Sequence, residues 1–256
     1  SPSGSHKPNT ALAQAFFNKE AGVKKIATET GAGQWGTALS YAGAVFGIEI
    51  QVFMVKVSFN QKPYRKAIIE GYGGSVVASP SDLTNSGKAI LEKDPNNSGS
   101  LGIAISEALE AVVKSGGKAK YSLGSVLGHV LLHQTINGNE AILQMEQAGD
   151  YPDIIVGCTG GGSNLAGLMF PFLGQQLRGG QKIDIIGCEP LSCPSFTKGK
   201  YAYDHGDMAR MTPLMKMHTL GSDFLPPANH SGGLRYHGMS YHLSHLYDLG
   251  LMRAKA

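Results

Sequence analysis

Three observations predict an α/β fold of two lobes, each a parallel sheet flanked by helices. Apolar, β-branched runs alternate along the chain with segments of helical period. Glycine turns stand at two of the strand-to-helix junctions, Gly31-Ala32-Gly33 and Gly160-Gly161-Gly162. The chain has 256 residues, 42% of them hydrophobic, which is enough for a sizeable core at the border between one large domain and two smaller ones. Residues 1–145 are expected to form the first lobe, with a mobile region over about 22–128, and residues 146–256 the second.

The elements follow in order. Asn9 to Lys19 reads as a helix, and Pro8 suits its first position because the missing N–H would have no partner there. Val23 to Thr28 is an apolar strand, and Gln34 to Phe46 a helix after the first glycine turn. Ile48 to Val55 reads as a buried strand, Pro63 to Tyr72 as a helix and Ser75 to Ala78 as a short strand. Asn85 to Glu92 and Ile103 to Lys114 look helical, with a polar loop between them. Gly128 to Gln147 is a long helix interrupted at Gly138. Asp153 to Cys158, the second glycine turn, the helix Ser163 to Leu177 and the strand Ile183 to Glu189 make a second βαβ unit. Leu191 to Pro227 has no strong period and is longer than an ordinary connection, a mark of functional loops. Met239 to Leu249 looks helical, and Leu249-Gly250-Leu251 reads as a turn.

Composition excludes several classes. A net charge of +3 with scattered basic residues does not imply nucleic acid. Cys158, Cys188 and Cys193 make an odd count with no CxxC pair, which argues against a disulfide framework or a zinc site and fits a reducing cytoplasm. No run of about 18 apolar residues occurs and the first residues are polar, so neither a membrane span nor a signal peptide is expected. His242 and His245 are i, i+3 on a helix, but no third ligand is placed, and no metal site is assigned.

Three features carry chemistry. Lys7 lies at a helix start, where the positive helix end favours the neutral amine that a Schiff base needs. Taken alone it also fits an ordinary solvated lysine near a chain end. Thr159-Gly160-Gly161-Gly162-Ser163-Asn164 follows a strand and opens a helix, so its backbone N–H groups can converge on a phosphate. It has neither a Walker lysine nor the dinucleotide GxGxxG spacing. Glu29-Thr30-Gly31-Ala32-Gly33-Gln34 sits at the carboxyl end of a strand, where open sheets bind ligands. There the turn amides can hold a carboxylate, and Glu29 is either an acid/base group or an exposed loop carboxylate. Together an amine, a phosphate cup and a carboxylate site describe pyridoxal phosphate acting on an amino acid.

Gly4-Ser5-His6-Lys7-Pro8-Asn9-Thr10, Glu29-Thr30-Gly31-Ala32-Gly33-Gln34, Gly160-Gly161-Gly162-Ser163-Asn164 and His230-Ser231-Gly232-Gly233-Leu234-Arg235-Tyr236-His237-Gly238 resemble the tryptophan synthase β-chain family. With Tyr121-Ser122-Leu123-Gly124-Ser125, the last stretch is similar to its second subfamily. The resemblance covers essentially the whole chain and implies the two-lobed pyridoxal-phosphate fold type II. It makes Lys7 the Schiff-base lysine, His6 a phosphate neighbour and Gly160, Gly161, Gly162, Ser163 and Asn164 the phosphate loop. It makes Glu29 the acid/base carboxylate, and Thr30, Gly31, Ala32, Gly33 and Gln34 the grip on the substrate carboxylate. Asp223 resembles the aspartate that contacts the serine hydroxyl on closure, with Arg65 either its ion-pair partner or a solvated helix charge.

The implied reaction is replacement of the hydroxyl of L-serine by indole to give L-tryptophan, in a homodimer that an α subunit can join and that binds a monovalent cation, Na+ or K+. The family has further segments before Lys7 and after the last residue here, so the chain is expected to be a fragment with poor or no activity. The alternatives are another fold type II lyase or synthase, which would lack a carboxylate at the Glu29 position, and a silent binding subunit.

Overall fold

The computed structural model describes residues 2–229 and 233–256. His230, Ser231 and Gly232 of the resemblance motif lie outside the described residues. The first half of the chain runs α1 (Pro8–Glu20), β1 (Lys25–Thr30), α2 (Gln34–Phe46), β2 (Glu49–Val55), α3 (Lys56–Gln61), α4 (Pro63–Gly71), β3 (Ser75–Ser79), α5 (Asn85–Lys93), α6 (Leu101–Lys114) and β4 (Ala119–Tyr121). Its strands form a parallel sheet in the order β3-β2-β1-β4. β1 is buried on both faces, the pattern of a central parallel strand covered by helices. Ile26, Ile50, Val52 and Met54 pack with Leu39 and Ile69 on one side, and Phe53 and Val55 with Ala104 and Ala108 of α6 on the other.

The second half runs α7 (Gly128–Ala148), β5 (Ile154–Cys158), α8 (Ser163–Leu177), β6 (Asp184–Cys188), β7 (Lys200–Asp204), β8 (Met215–Thr219), α9 (Tyr241–Asp248) and β9 (Arg253–Lys255). β5, β6 and β9 form a parallel sheet whose core holds Ile155, Ile185, Leu165, Met169 and Phe172.

Most helix and strand positions agree with the sequence pattern, and the differences have physical causes. Strand β1 runs two residues further than expected, because Glu29 and Thr30 are buried and paired with Phe53 and Met54. Helix α7 is continuous through Gly138, which is no interruption but a contact point with α8. A Cβ there would come within 2.7 Å of Pro171 Cδ, and one at Gly167 within 2.5 Å of Gln134 Cβ and 2.6 Å of its carbonyl oxygen. Gly167→Ala is therefore expected to cost about 1–3 kcal/mol by overpacking, although alanine is the better helix former, read as a lower denaturant midpoint at unchanged slope.

The segment expected to be irregular, Leu191 to Pro227, contains the antiparallel hairpin β7-β8. The turn at Leu249 to Leu251 leads into β9 against β6. Between β7 and β8, buried Asp207 accepts hydrogen bonds from Ser106 Oγ of α6 (2.8 Å), the Thr212 amide (2.9 Å) and the Met211 amide (3.1 Å). This carboxylate fastens the hairpin loop to the first half of the chain.

Candidate active site

One cavity collects Lys7, Glu29, Thr30, Gly31, Ala32 and Gln34 from the first half of the chain, and Gly161, Arg235 and Tyr236 from the second. The floor between them is the segment Leu123 to Val126 that links β4 to α7.

Lys7 is the N-cap of α1, and its Nζ donates to the carbonyl of Gly124 at 2.8 Å. Its pKa is lowered to about 8, first by burial; the Glu29 charge pulls the other way. Burial, more than the helix end invoked from sequence, makes the neutral amine accessible. At Gly124 a Cβ would press into the Trp35 ring, 2.5 Å from Cε3, while Trp35 is fixed by donating from Nε1 to Thr28 Oγ1 at 2.7 Å. Gly124→Ala is expected to displace Trp35 or the carbonyl that holds Lys7. The readout is a fall of about 1–3 kcal/mol in stability together with a shifted pH dependence of Lys7 modification.

Glu29 is 2% exposed, and it accepts from Tyr121 Oη at 2.6 Å. Strand register explains the contact: Tyr121 pairs with Ala27, which shares the face of β1 that carries Glu29. Burial raises the Glu29 pKa to about 7, against the lowering effects of the Tyr121 hydrogen bond and the Lys7 charge. Glu29 is thus a buried carboxyl poised near neutrality, not an exposed loop carboxylate. Burial, then Glu29, pushes the Tyr121 phenol well up, so it remains a donor.

The turn Gly31 to Gly33 enters α2 through Gly33, whose φ of 92° is left-handed and is its N-cap conformation. Arg65 packs on Gly33, and a Cβ there would lie 2.8 Å from Arg65 Cβ. In the amide orientation that its neighbours require, Gln34 accepts from Arg65 Nη2 at 2.8 Å and donates to the Ser3 carbonyl at 3.1 Å. Arg65 is therefore neither a solvated helix charge nor the partner of Asp223. Asp223 is 72% exposed in its side chain, pairs with Arg210 at 3.5 Å and does not line the cavity. The two residues expected to pair are held apart because each has another partner.

The second glycine turn enters α8 through Gly162, with φ 104°. A Cβ on Gly161 would lie 2.6 Å from both Ser125 Oγ and Val126 Cγ2, and Ser163 Oγ is 3.2 Å from Ser125 Oγ. The segment whose Gly124 carbonyl holds Lys7 is thus pressed against the turn. Val126 adopts φ 67°, a strained conformation for a β-branched residue, and such strain concentrates at functional sites. Of the turn residues, Gly161 faces the cavity, while Asn164 is exposed and donates to the Cys158 carbonyl at 3.4 Å.

The side chain of His6 is not part of the cavity wall, and its Nε2 is buried without a hydrogen-bond partner. Burial, then Lys7, lowers its pKa to about 4. This orphaned nitrogen beside Lys7, the glycine turn at a helix N-terminus and the buried amine together fit a phosphorylated aldehyde cofactor. Among the described residues no group of three or more His, Cys, Asp or Glu side chains could hold a metal ion, and no helix is long and apolar enough to cross a membrane.

Tyr121, Trp35, Val126 and Arg235 were given no role from sequence. Alternation at Ala119 to Tyr121 beside the quoted Gly124-Ser125 was the signal for Tyr121; the left-handed Val126 had none.

Comparison with known proteins agrees with this chemistry. A tryptophan synthase beta chain 2 of Thermotoga maritima is 60% identical over 256 residues, covering 100% of this chain and 60% of that protein. One of Aeropyrum pernix is 57% identical over 255 residues, covering 100% and 57%. The chain thus spans about 60% of the length of the curated relatives it matches. The crystal structure of a T.th. threonine deaminase superposes with a TM-score of 0.63 at 19% identity, over 94% of this chain and 64% of that one, which supports the expected fold type II architecture. The model of the family described as pyridoxal-phosphate dependent enzyme matches residues 1–231, and the chain belongs to that family.

Proposed function

We propose that this chain carries the catalytic site of a tryptophan synthase β-type enzyme, replacing the hydroxyl of L-serine with indole. The observation that carries the reading is the buried carboxyl Glu29 in the same cavity as the amine of Lys7. The names of the relatives at 55–60% identity support it. When bound, pyridoxal phosphate supplies an electron sink for the substrate α-carbon. Lys7, neutral in a substantial fraction near pH 8, takes and returns the α-proton. The backbone of Thr30 to Gln34 holds the substrate carboxylate, with Gln34 steadied by Arg65. Glu29 passes a proton to the departing hydroxyl through the oxygen that Tyr121 leaves free. Trp35, Leu101 and Ile105 provide apolar wall that excludes water. His6 and the turn Gly160 to Asn164 take the phosphate. Asp223, which follows β8 and pairs with Arg210 of the hairpin loop, takes part in this reading by exchanging that partner for the serine hydroxyl. The first lobe of 1–145 with its mobile part, a homodimer, an α subunit, a Na+ or K+ ion and a cytoplasmic setting complete the proposal.

The test supplies the chain with pyridoxal phosphate, L-serine and indole and identifies the product. Tryptophan, formed slowly, is the expected result. Pyruvate alone would assign the chain to the eliminating relatives. Cofactor capture without either product would leave only the binding-subunit reading.

A further inference from the structure

The sheet β5-β6-β9 has one face packed and one open. Ile155 and Ile185 are 5% and 1% exposed in the core, whereas Ile154 and Val156 on the opposite face are 54% and 56% exposed. Cys158 continues that open face and is exposed. Its register partner on β6 is Cys188, which is partly exposed, and both thiols are free. Register partners on neighbouring strands project from the same face at a strand spacing of about 4.8 Å. That spacing lies within the Cα separation of roughly 4.4–6.8 Å that a disulfide spans. Cys193 differs. It is 3% exposed, its thiol donates to the Tyr236 carbonyl at 3.0 Å, and burial pushes its pKa up to about 12.

We propose that Cys158 and Cys188 are an oxidisable pair that closes to a cross-strand disulfide. The more exposed Cys158 loses its proton to solvent, and its sulfur attacks a small-molecule disulfide such as oxidised glutathione. The sulfur–sulfur bond of the oxidant breaks, and one reduced thiol leaves. The Cys188 sulfur, giving up its proton, then attacks the Cys158 sulfur of the mixed disulfide and displaces the second reduced thiol. Two protein thiols are oxidised and one external disulfide is reduced. The position gives the bond a consequence. Cys158 directly precedes Thr159, whose amide (2.8 Å) and hydroxyl (3.1 Å) both donate to the Cys188 carbonyl, and Gly160 to Gly162 follow. Closing the pair draws on the root of the glycine turn.

The experiment exposes the folded chain to graded mixtures of oxidised and reduced glutathione, blocks the remaining thiols and maps the peptides by mass without reduction. The expected product is lighter by two hydrogens, carries no glutathione, links the peptides of Cys158 and Cys188, and has Cys193 blocked only after denaturation. Cys188→Ser should stop at a glutathione adduct on Cys158, and Cys158→Ser should give no linked peptide. Amide exchange at Thr159 to Gly162 should change at least threefold on oxidation and revert on reduction. Wild-type protein that stops at the adduct, stays reduced at every ratio or links Cys193 would overturn the pair. Unchanged exchange after closure would overturn its coupling to the turn.

Discussion

Lys7→Ala is expected to abolish covalent capture of pyridoxal phosphate, read as the loss of a borohydride-stable phosphopyridoxyl group on the peptide containing residue 7. The effect is all or none because the chemistry needs a primary amine inside the cavity, and among the described residues Lys7 is the one that lines it. Lys7→Arg keeps a cation and much of the stem but no amine that forms a Schiff base, so it separates lost chemistry from lost fold. The pH dependence is the sharper arm. With a pKa of about 8, roughly a tenth of Lys7 is neutral at pH 7; an ordinary lysine would be neutral in roughly three parts per ten thousand. Capture should therefore rise with pH through a midpoint near 8. A midpoint near the ordinary lysine value, or phosphopyridoxyl groups scattered over surface lysines in place of residue 7, would show that burial does not prepare this amine.

Much of this site was legible in the sequence because its parts are local. Gly160 to Gly162 and Gly31 to Gly33 announce themselves as turns, and each stands between a strand and a helix with apolar periodicity. Gly33 and Gly162 adopt the left-handed conformation that makes glycine useful there. What was not legible depends on groups brought together from distant positions. The hydrogen bond of Tyr121 to Glu29 spans 92 positions, and that of Lys7 to Gly124 spans 117. The first is set by strand register and the second by the seating of α1 on the segment after β4, where Gln14 also donates to the Leu123 carbonyl, and no local pattern encodes either. Arg65 and Asp223 show the opposite failure. The family resemblance suggested a pair, but a resemblance over a short motif does not fix which partner a charge meets, and the partners found are Gln34 and Arg210. The hairpin β7-β8 was missed although Met215-Lys216-Met217-His218 alternates. Five-residue strands rich in Lys and Tyr give a weak signal inside a long polar segment.

Glu29→Gln tests the other half of the site and should act on rate, on Lys7 and on stability with separate signatures. If Glu29 is the acid that lets the serine hydroxyl leave, tryptophan formation should fall by about 10²–10⁴. Glutamine keeps the shape and can still accept from Tyr121, so the loss would report the proton. Because the Glu29 charge raises the Lys7 pKa, the variant should move the midpoint of cofactor capture below about 8, a change that needs no turnover to be seen. Stability supplies the third signature. The Glu29 pKa is raised in the fold, from 4.5 to about 7, so the folded chain holds its proton where the unfolded chain has released it. Between those values the unfolded state binds fewer protons, and stability falls as pH rises. The shift corresponds to an upper figure of about 3 kcal/mol for a group 2% exposed. Glutamine does not ionise, so its advantage over the wild type should be absent near pH 4 and grow to its full size above pH 7 in denaturant titrations. A stability difference that stays flat across this window would mean that Glu29 ionises freely in the fold, and the acid assigned to it here would have no proton to give.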